Sequence, residues 1–191
     1  MKTEIILKLK GPFSLTGQES LFKVKEIKLS GLYVFTFKIE DKYLIEYVGI
    51  TTRDFKTRFL EHIRELLSGG YKLYDFQKLK NNESFLTWKG RYDNDNYDIV
   101  DFLDNYPYFS DIINKQFQEL KIFLIPLSVE KRILERIEGE IYKILRKQND
   151  KRIMTFIKGV KSKPRLNKEQ PITVRLESNN LLLNMPNIFE V

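Results

Sequence analysis

Two runs of β-branched and aromatic residues constrain the fold of this chain more than any other feature of its sequence. Residues 31–39 read Gly-Leu-Tyr-Val-Phe-Thr-Phe-Lys-Ile, residues 43–50 read Tyr-Leu-Ile-Glu-Tyr-Val-Gly-Ile, and Glu40-Asp41-Lys42 lies between them. Such residue types favour strands, and a short polar segment favours a tight turn, so the sequence predicts an antiparallel hairpin. Pairing the runs about the turn places Tyr33 opposite Tyr47 to within one or two residues. Their phenols then share one face, provided that the register holds.

A helix is predicted directly after the hairpin, over about residues 54–67. The residues at apolar helical spacing are Phe55, Phe59, Ile63, Leu66 and Leu67. Asp54 is the expected N-cap, and Gly69-Gly70 should end the helix. On a helical wheel, Arg58 and His62 lie beside each other along one flank of the buried stripe. Side chains on such a flank lie at the edge of the core, where they can line a cleft.

The remaining pattern predicts a mixed chain of strands and helices. Strands are expected at residues 4–9, 21–29, 120–126 and 172–176, and a second long helix at 129–147. Residues 71–117 are aromatic and acidic and show no clean period. No internal repeat or low-complexity linker is present, and 191 residues suit a single domain.

Composition limits the class of protein. The chain is 42% hydrophobic and 31% charged, and no apolar run approaches the length needed to cross a bilayer. The first residues lead into a short strand and not into the apolar core of a signal peptide. We therefore expect a cytoplasmic protein that does not enter a membrane.

Cysteine and histidine content limits any metal site. The chain has no cysteine and one histidine, which excludes disulfides, thiolate zinc sites and clusters of imidazole ligands. A metal would have to be held by carboxylates. Ligands of that kind favour magnesium or manganese.

The positive charge of the chain is concentrated in one segment. The net charge is +7, and residues 151–168 contain seven basic residues and no acid. These residues are Lys151, Arg152, Lys158, Lys161, Lys163, Arg165 and Lys168. Clustered Lys and Arg bind the phosphates of DNA or RNA without regard to base sequence. The alternative is a solvated basic tail with no partner.

The second long helix contains four glutamates, and the helical wheel separates them. They are Glu130, Glu135, Glu138 and Glu140. Glu138 is the one charge on the apolar side, whereas Glu135 and Glu140 lie further round, beside Arg136, where the surface is expected. A bare carboxylate on the core side costs several kcal/mol, so it must be paired, protonated or bound to a metal. Metal ligation and pairing with a base such as Arg58 both stay open.

Five side chains, taken in order, resemble the GIY-YIG nuclease family. Gly31-Leu32-Tyr33 matches its first motif and Tyr47-Val48-Gly49 its second, and Arg58, His62 and Glu138 follow. The family's C-terminal pattern of a glutamate, aliphatic residues, a lysine and an asparagine matches Glu138, Ile141, Lys143 and Asn149. The spacing from Tyr33 to Tyr47 and the gap from His62 to Glu138 are both longer than in compact members.

This resemblance implies an α+β fold, with a small antiparallel three-stranded sheet flanked by helices. The catalytic core would comprise residues 30–68 and 119–150, and residues 69–118 would be an insertion. Residues 1–29 and 151–191 would be extensions that serve DNA binding or oligomerisation.

The resemblance also implies a role for each site residue. Glu138 would hold Mg²⁺ or, in its place, Mn²⁺, and Arg58 would clamp a phosphate oxygen. Tyr33 would be the general base, with its pKa lowered from about 10 by the metal and Arg58. Tyr47 would orient water or phosphate, and His62 would polarise Tyr33 or contact the phosphate. The supporting residues would be Asn149, near the site, and Lys42 or Lys56, on the phosphate.

The activity implied is hydrolysis of double-stranded DNA to 5′-phosphate and 3′-hydroxyl ends. The arrangement most resembles stand-alone type II restriction endonucleases of the family, which act as dimers or higher oligomers. A phage or repair nuclease of low sequence specificity is the first alternative. A DNA-binding module without catalysis is the second.

Overall fold

The computed structural model of the protein describes residues 3–83, 85–92, 97–148, 150–158, 161–180, 182–183 and 185–191. The strands are β1 (Thr3–Lys8), β2 (Lys10–Phe13), β3 (Gly31–Ile39), β4 (Lys42–Thr51), β5 (Leu73–Tyr74), β6 (Leu86–Trp88), β7 (Leu120–Pro126), β8 (Ile172–Glu177) and β9 (Ile188–Glu190). The helices are α1 (Phe55–Leu67), α2 (Phe76–Lys80), α3 (Ile99–Asp104), α4 (Tyr106–Glu119), α5 (Lys131–Arg146) and α6 (Lys151–Ile157). The predicted α+β class is confirmed.

The central sheet is antiparallel, but it has four strands where three were expected. Its order is β2-β7-β3-β4. The additional strand is β2, which pairs with the outer edge of β7 through Lys10↔Leu124 and Phe13↔Ile122. An edge strand leaves N–H and C=O groups without partners, and β2 satisfies those of β7.

The predicted hairpin is present, and its register brings the two tyrosines together. Gly49 lies opposite Tyr33 and Tyr47 opposite Phe35, so Tyr33 and Tyr47 are diagonal neighbours on one face. Their ring centroids are 6.1 Å apart. The register then shifts between Phe35 and Thr36, and Glu46 is the extra residue of this bulge.

The strand predicted at residues 21–29 is wrong. This segment forms two 3-10 helices, Leu21–Lys23 and Lys25–Lys28, and the Ser20 side chain accepts a hydrogen bond from the N–H of Phe22 at the start of the first. The buried Leu21 and Ile27 and the partly buried Val24 recur every third residue. Three residues per turn is the period of a 3-10 helix, and it resembles alternation in so short a segment.

Helix α1 begins and ends where the sequence predicted. The Asp54 side chain accepts a hydrogen bond from the N–H of Thr57 at 2.7 Å, and the turn after the helix contains Gly69 at a φ of 68°. The buried stripe differs in detail from the expectation. His62 is 3% exposed and belongs to the stripe itself, whereas Leu67 is 44% exposed.

The two termini meet in a second sheet that was not predicted. Strand β1 pairs in parallel with β8, and β8 pairs antiparallel with β9. The strands expected near residues 4–9 and 172–176 are therefore both present. Their pairing joins segments more than 160 residues apart.

Residues 69–118, which were expected to be an insertion, pack against the main core. The segment forms an aromatic cluster of its own, in which Trp88 donates a hydrogen bond to the carbonyl oxygen of Gly69 at 2.6 Å. Other side chains of the segment, including Tyr74 and Phe76, pack against Phe37 in the main core. Among the described residues, no helix is both long and apolar enough to cross a membrane.

Helix α5 covers the free edge of the central sheet. Strand β4 is an outer strand, and the Tyr142 hydroxyl donates to the carbonyl oxygen of Val48 at 2.6 Å and accepts from its N–H at 3.0 Å. All three groups are buried. One phenol therefore satisfies two backbone groups that none of the described strands reaches.

Tyr142→Phe should destabilise the protein by about 1–3 kcal/mol, because it leaves both backbone groups of Val48 buried without partners. Chemical denaturation followed by circular dichroism measures the change. Tyr43→Phe is the matched control, since the Tyr43 side chain is largely buried but its hydroxyl makes no hydrogen bond with any described residue. Equal losses in the two variants would show that the Val48 contacts contribute nothing.

Candidate active site

The hydroxyl of Tyr33 joins three of the predicted site residues. Tyr33 lies on β3 and is fully buried. Arg58 donates from Nε to the Tyr33 oxygen at 3.0 Å, and the same oxygen lies 2.8 Å from Nε2 of His62. Because the oxygen already accepts from Arg58, we assign its proton to the bond with His62. The order of donation is then Arg58 to Tyr33 to His62.

Close aromatic packing holds the Tyr33 ring in place. The rings of Phe55 and Phe59 on α1 lie 6.3 and 5.2 Å from it, both at steep angles, and Phe35 lies 5.7 Å away. Gly49 faces the ring from β4, and a Cβ at this position would overlap the Tyr33 hydroxyl. Steric exclusion by the Tyr33 hydroxyl therefore explains why position 49 is a glycine.

Burial works against Tyr33 as a base. It raises the pKa of Tyr33 well above 10, and the neighbouring Tyr47 raises it further, while Arg58 lowers it by less. Tyr33 is also not among the residues that line the adjoining cleft. Tyr47 is half-buried and does line it, and burial raises its pKa as well. Of the two phenols, Tyr47 is the one that meets the open space.

Arg58 is a permanent cation at the edge of the cleft. Burial lowers its pKa, but Tyr33 and Glu61 outweigh burial and the net shift is upward. Glu61 accepts a hydrogen bond from Nη1 of Arg58 at 3.0 Å, and it forms an ion pair with Arg53 at 2.8 Å. These bonds fix the guanidinium while leaving it 28% exposed. A planar cation held in this way suits a phosphate group.

His62 is neutral at physiological pH. Burial, together with the charge of Arg58, lowers its pKa to about 3. Its Nδ1 is buried and has no hydrogen-bond partner among the residues that the structure describes. The imidazole is thus an acceptor for the Tyr33 proton and not a second cation.

Glu138 is half-buried on α5, beside this cluster. Burial and the nearby Glu135 raise its pKa to about 7, while Arg58 and Lys163 lower it. The Glu138 carboxylate makes no hydrogen bond or ion pair with any described residue. The charge of Arg58 therefore reaches Glu138 without a direct bond, and the pairing alternative does not hold in this structure.

The other residues of α5 are less exposed than the helical wheel predicted. The side chains of Glu135 and Glu140 are each 14% exposed and are paired with lysines. Arg136 is buried and donates to the carbonyl oxygens of Gln170 and Val191. The prediction that this side of α5 lies at the surface is therefore wrong. The C-terminal segment packs over it.

The donor set of Glu138 fits magnesium or manganese. Mg²⁺ is commonly bound by one or two carboxylates and keeps several waters. Burial disfavours the charged form of this unpaired carboxylate. A bound cation would stabilise that charged form. No group of three or more potential ligands occurs among the described residues, so a fully protein-built cage is not present there.

A cleft lies next to the cluster. It is bounded by β4, α1, residues 70–74 and 89–92, and the end of α6, and its volume is about 410 Å³. Tyr47, Arg58 and His62 line it. So does Glu46, which sequence reasoning missed, and burial raises the pKa of Glu46 to about 7. A single acid within an otherwise apolar strand was the available signal.

The basic segment is only in part a surface for phosphate. Lys158 and Lys161 line the cleft, and Lys151 lines an adjoining groove with Lys89. Helix α6 buries Ile153, Phe156 and Ile157, so this part of the segment is not a solvated tail.

The other predicted basic residues lie elsewhere. Arg152 is paired with Asp150 at 2.7 Å and Lys163 with Glu135 at 3.0 Å, while Arg165 donates to the carbonyl oxygen of Glu169. Lys42 at the start of β4, Lys56 in the first turn of α1, and Lys168 are exposed and form no ion pair with any described residue. Asn149 lies outside the described residues.

Comparisons of the chain with models of protein families, with curated proteins and with solved structures found no match. The relationship to GIY-YIG nucleases therefore stays a prediction.

The stability difference between the wild type and His62→Gln should depend on pH. Below pH 6.5 the unfolded chain protonates His62, but the folded chain does not until about pH 3. The wild type therefore loses about 1.4 kcal/mol per pH unit through this residue as pH falls. Glu46 and Glu138, with raised pKa values, act in the opposite sense in both proteins and cancel in the difference.

Urea denaturation at pH 6.5 and pH 5 checks this expectation. The difference should move by about 2 kcal/mol in favour of His62→Gln, whatever its value at pH 6.5. A difference that does not change with pH would mean that His62 is protonated in the folded protein.

Proposed function

We propose that this protein is a metal-dependent endonuclease of the GIY-YIG type that hydrolyses phosphodiester bonds of double-stranded DNA. The observation that carries the proposal is the Tyr33 hydroxyl, shared between Nε of Arg58 and Nε2 of His62. A buried phenol bonded to a fixed guanidinium and a neutral imidazole combines a phosphate clamp with a path for a proton. Tyr47 and Glu138 adjoin this group.

Arg58 binds the scissile phosphate in this proposal. Its charge is permanent, its orientation is fixed by Tyr33 and Glu61, and it lines the cleft. Lys151, Lys158 and Lys161 lie along the cleft and the groove beside it, where they would follow the sugar-phosphate backbone. The rest of the predicted basic set contributes less, because several of its members are paired within the protein.

Glu138 would hold the metal. When bound there, Mg²⁺ supplies Lewis acidity and stabilises the alkoxide that leaves. The residues of the chain that prepare the site for it are those that set the charge on Glu138. Burial and Glu135 favour its protonated form, and Arg58 and Lys163 favour the carboxylate.

The proton of the attacking water passes to the tyrosine-histidine pair. Tyr47 meets the cleft, orients the water and relays its proton inwards to the buried Tyr33, whose own proton moves to Nε2 of His62. The bond from the water oxygen to phosphorus forms while the bond to the 3′ oxygen breaks, and the 3′ alkoxide takes a proton from solvent. The anionic phosphate offsets the charge of Arg58, which raises the proton affinity of His62. The products are 5′-phosphate and 3′-hydroxyl ends.

We propose type II restriction as the biological role, with the protein acting as an oligomer. Residues 70–74 and 89–92 of the insertion form one wall of the cleft, so they are placed to contact the substrate beside the scissile bond. A nuclease of low sequence specificity is the alternative within this class.

One observation favours a DNA-binding module that does not cut. Tyr33 is fully buried, and its pKa lies well above 10, opposite to what a general base requires. The presence of Arg58, His62 and Glu138 around it favours catalysis instead. Cleavage assays separate the two functions.

Glu138→Gln should abolish cleavage of plasmid DNA in the presence of Mg²⁺ and leave DNA binding unchanged, because the amide is a poor magnesium ligand of nearly equal size. Glu140→Gln, two positions further along α5 and paired with Lys143, is the control and should cut normally. Gel electrophoresis distinguishes discrete bands, which indicate restriction, from a smear. Normal cutting by Glu138→Gln, with Glu135→Gln inactive, would move the metal site to Glu135.

Tyr33→Phe and Tyr47→Phe should both reduce the rate of cleavage, by about 100-fold or more, and should differ in stability. Tyr33→Phe leaves Arg58 and His62 without their buried partner and should cost about 1–3 kcal/mol. Tyr47→Phe removes a hydroxyl at the cleft and should cost less. Single-turnover kinetics and urea denaturation measure both quantities. Full activity of Tyr33→Phe would exclude the proton path described above.

A further inference from the structure

The cleft beside Tyr47 has the walls of a site for a flat ring. Its volume of about 410 Å³ lies within the range of roughly 300–1,000 Å³ that ligand pockets occupy. Phe35, Tyr71, Tyr92 and Phe156 line it, and the rings of Tyr71 and Tyr92 lie 5.7 Å apart. Tyr92 is 65% exposed, but its hydroxyl accepts a hydrogen bond from Arg91 at 3.0 Å. An exposed aromatic ring held in this way is suited to stacking.

Glu46 places a carboxyl group within this aromatic space. It is the extra residue of the bulge in β4, so its side chain reaches the cleft next to Tyr47. Within the described part of the chain, its one hydrogen bond comes from the Tyr74 hydroxyl at 3.4 Å, which is long. The charge of Lys72 favours the carboxylate, and Lys72 is itself anchored to carbonyl oxygens of residues 155, 156 and 158.

Three further lysines surround the opening. Lys89, Lys158 and Lys161 line the cleft, are exposed, and form no ion pair with any residue that the structure describes. Aromatic walls, an acceptor inside and cations at the rim together match a nucleotide. The ring stacks, the acceptor reads the base edge, and the cations meet the phosphate.

We propose that this cleft receives a guanine base that has left the DNA stack, with Glu46 accepting hydrogen bonds from its N1–H and N2–H groups. The inference rests on the proposed function, because the cleft adjoins Arg58, where the phosphate is bound. A base within a duplex cannot reach Glu46, so the nucleotide next to that phosphate must turn outwards. Guanine is selected because it alone presents two adjacent donors on its Watson–Crick edge, which a carboxylate accepts together.

The first experiment measures nucleotide binding without metal, at pH 8, where Glu46 is ionised. Titration calorimetry with dGMP, dAMP, dCMP and dTMP should show tightest binding of dGMP. Glu46→Gln should weaken dGMP binding about tenfold or more and remove its advantage over dAMP, since the amide offers one acceptor and one donor group. Glu140→Gln should bind dGMP as the wild type does. Equal binding of dGMP and dTMP by the wild type would overturn the inference.

A second pair of variants keeps the test valid if Glu46→Gln does not fold. Tyr92→Leu should weaken dGMP binding about fivefold or more through loss of stacking. Tyr108→Leu is the control, because Tyr108 is 60% exposed on α4 and does not line the cleft. Equal effects of the two substitutions would contradict the assignment.

Single-stranded pentanucleotides distinguish DNA from a free nucleotide as the source of the base. A strand with a central guanine among thymines should bind at least about tenfold more tightly than dGMP and than the all-thymine strand, because the flanking phosphates meet the lysines. Equal affinity for dGMP and the guanine strand would overturn the assignment to DNA. These titrations need no cleavage, so guanine binding without nuclease activity would disprove the proposed function and leave the base site standing. Cleavage of DNA by a protein that shows no preference for guanine would disprove the base site and leave the proposed function standing.

Discussion

The buried hydroxyl of Tyr33 is the constraint on which the candidate site depends. Water cannot reach this oxygen, so its hydrogen bonds must come from the protein, and Arg58 and His62 provide them. The same bonds fix the guanidinium and the imidazole relative to each other. Because β3 supplies the phenol and α1 the other two groups, the packing of that helix on the sheet is also what assembles the site.

Burial sets the charge state of the site as well as its geometry. It favours the neutral forms of Tyr33, His62, Glu46 and Glu138, whereas Arg58 stays charged through its bonds to Tyr33 and Glu61. With the lysines of the cleft added, the region is positive near neutral pH. A positive site with acids that ionise only when compensated is suited to a polyanion and a divalent cation.

Local patterns were enough to predict the elements that carry the site. The hairpin, the Asp54 cap of α1 and the strand at residues 120–126 follow from residue type and periodicity, and the structure contains all three. The predictions that are wrong share one cause, because a short segment does not define its hydrophobic period clearly. The sequence of residues 21–29 fits a period of two, but the structure has a period of three, and His62 faces the core although the helical wheel predicts a flank position.

The sequence by itself determined which residue types follow one another, and so the hairpin, the helices and the position of Glu138 among apolar residues. Only the tertiary structure decided which distant groups meet. It brought Glu46 to Tyr74 and Lys72, placed the end of α6 beside the cleft, and covered Arg136 with the C-terminal segment. The physical reason is that local propensity acts over a few residues, whereas contacts between distant segments depend on how whole elements pack and on which buried polar groups still lack partners.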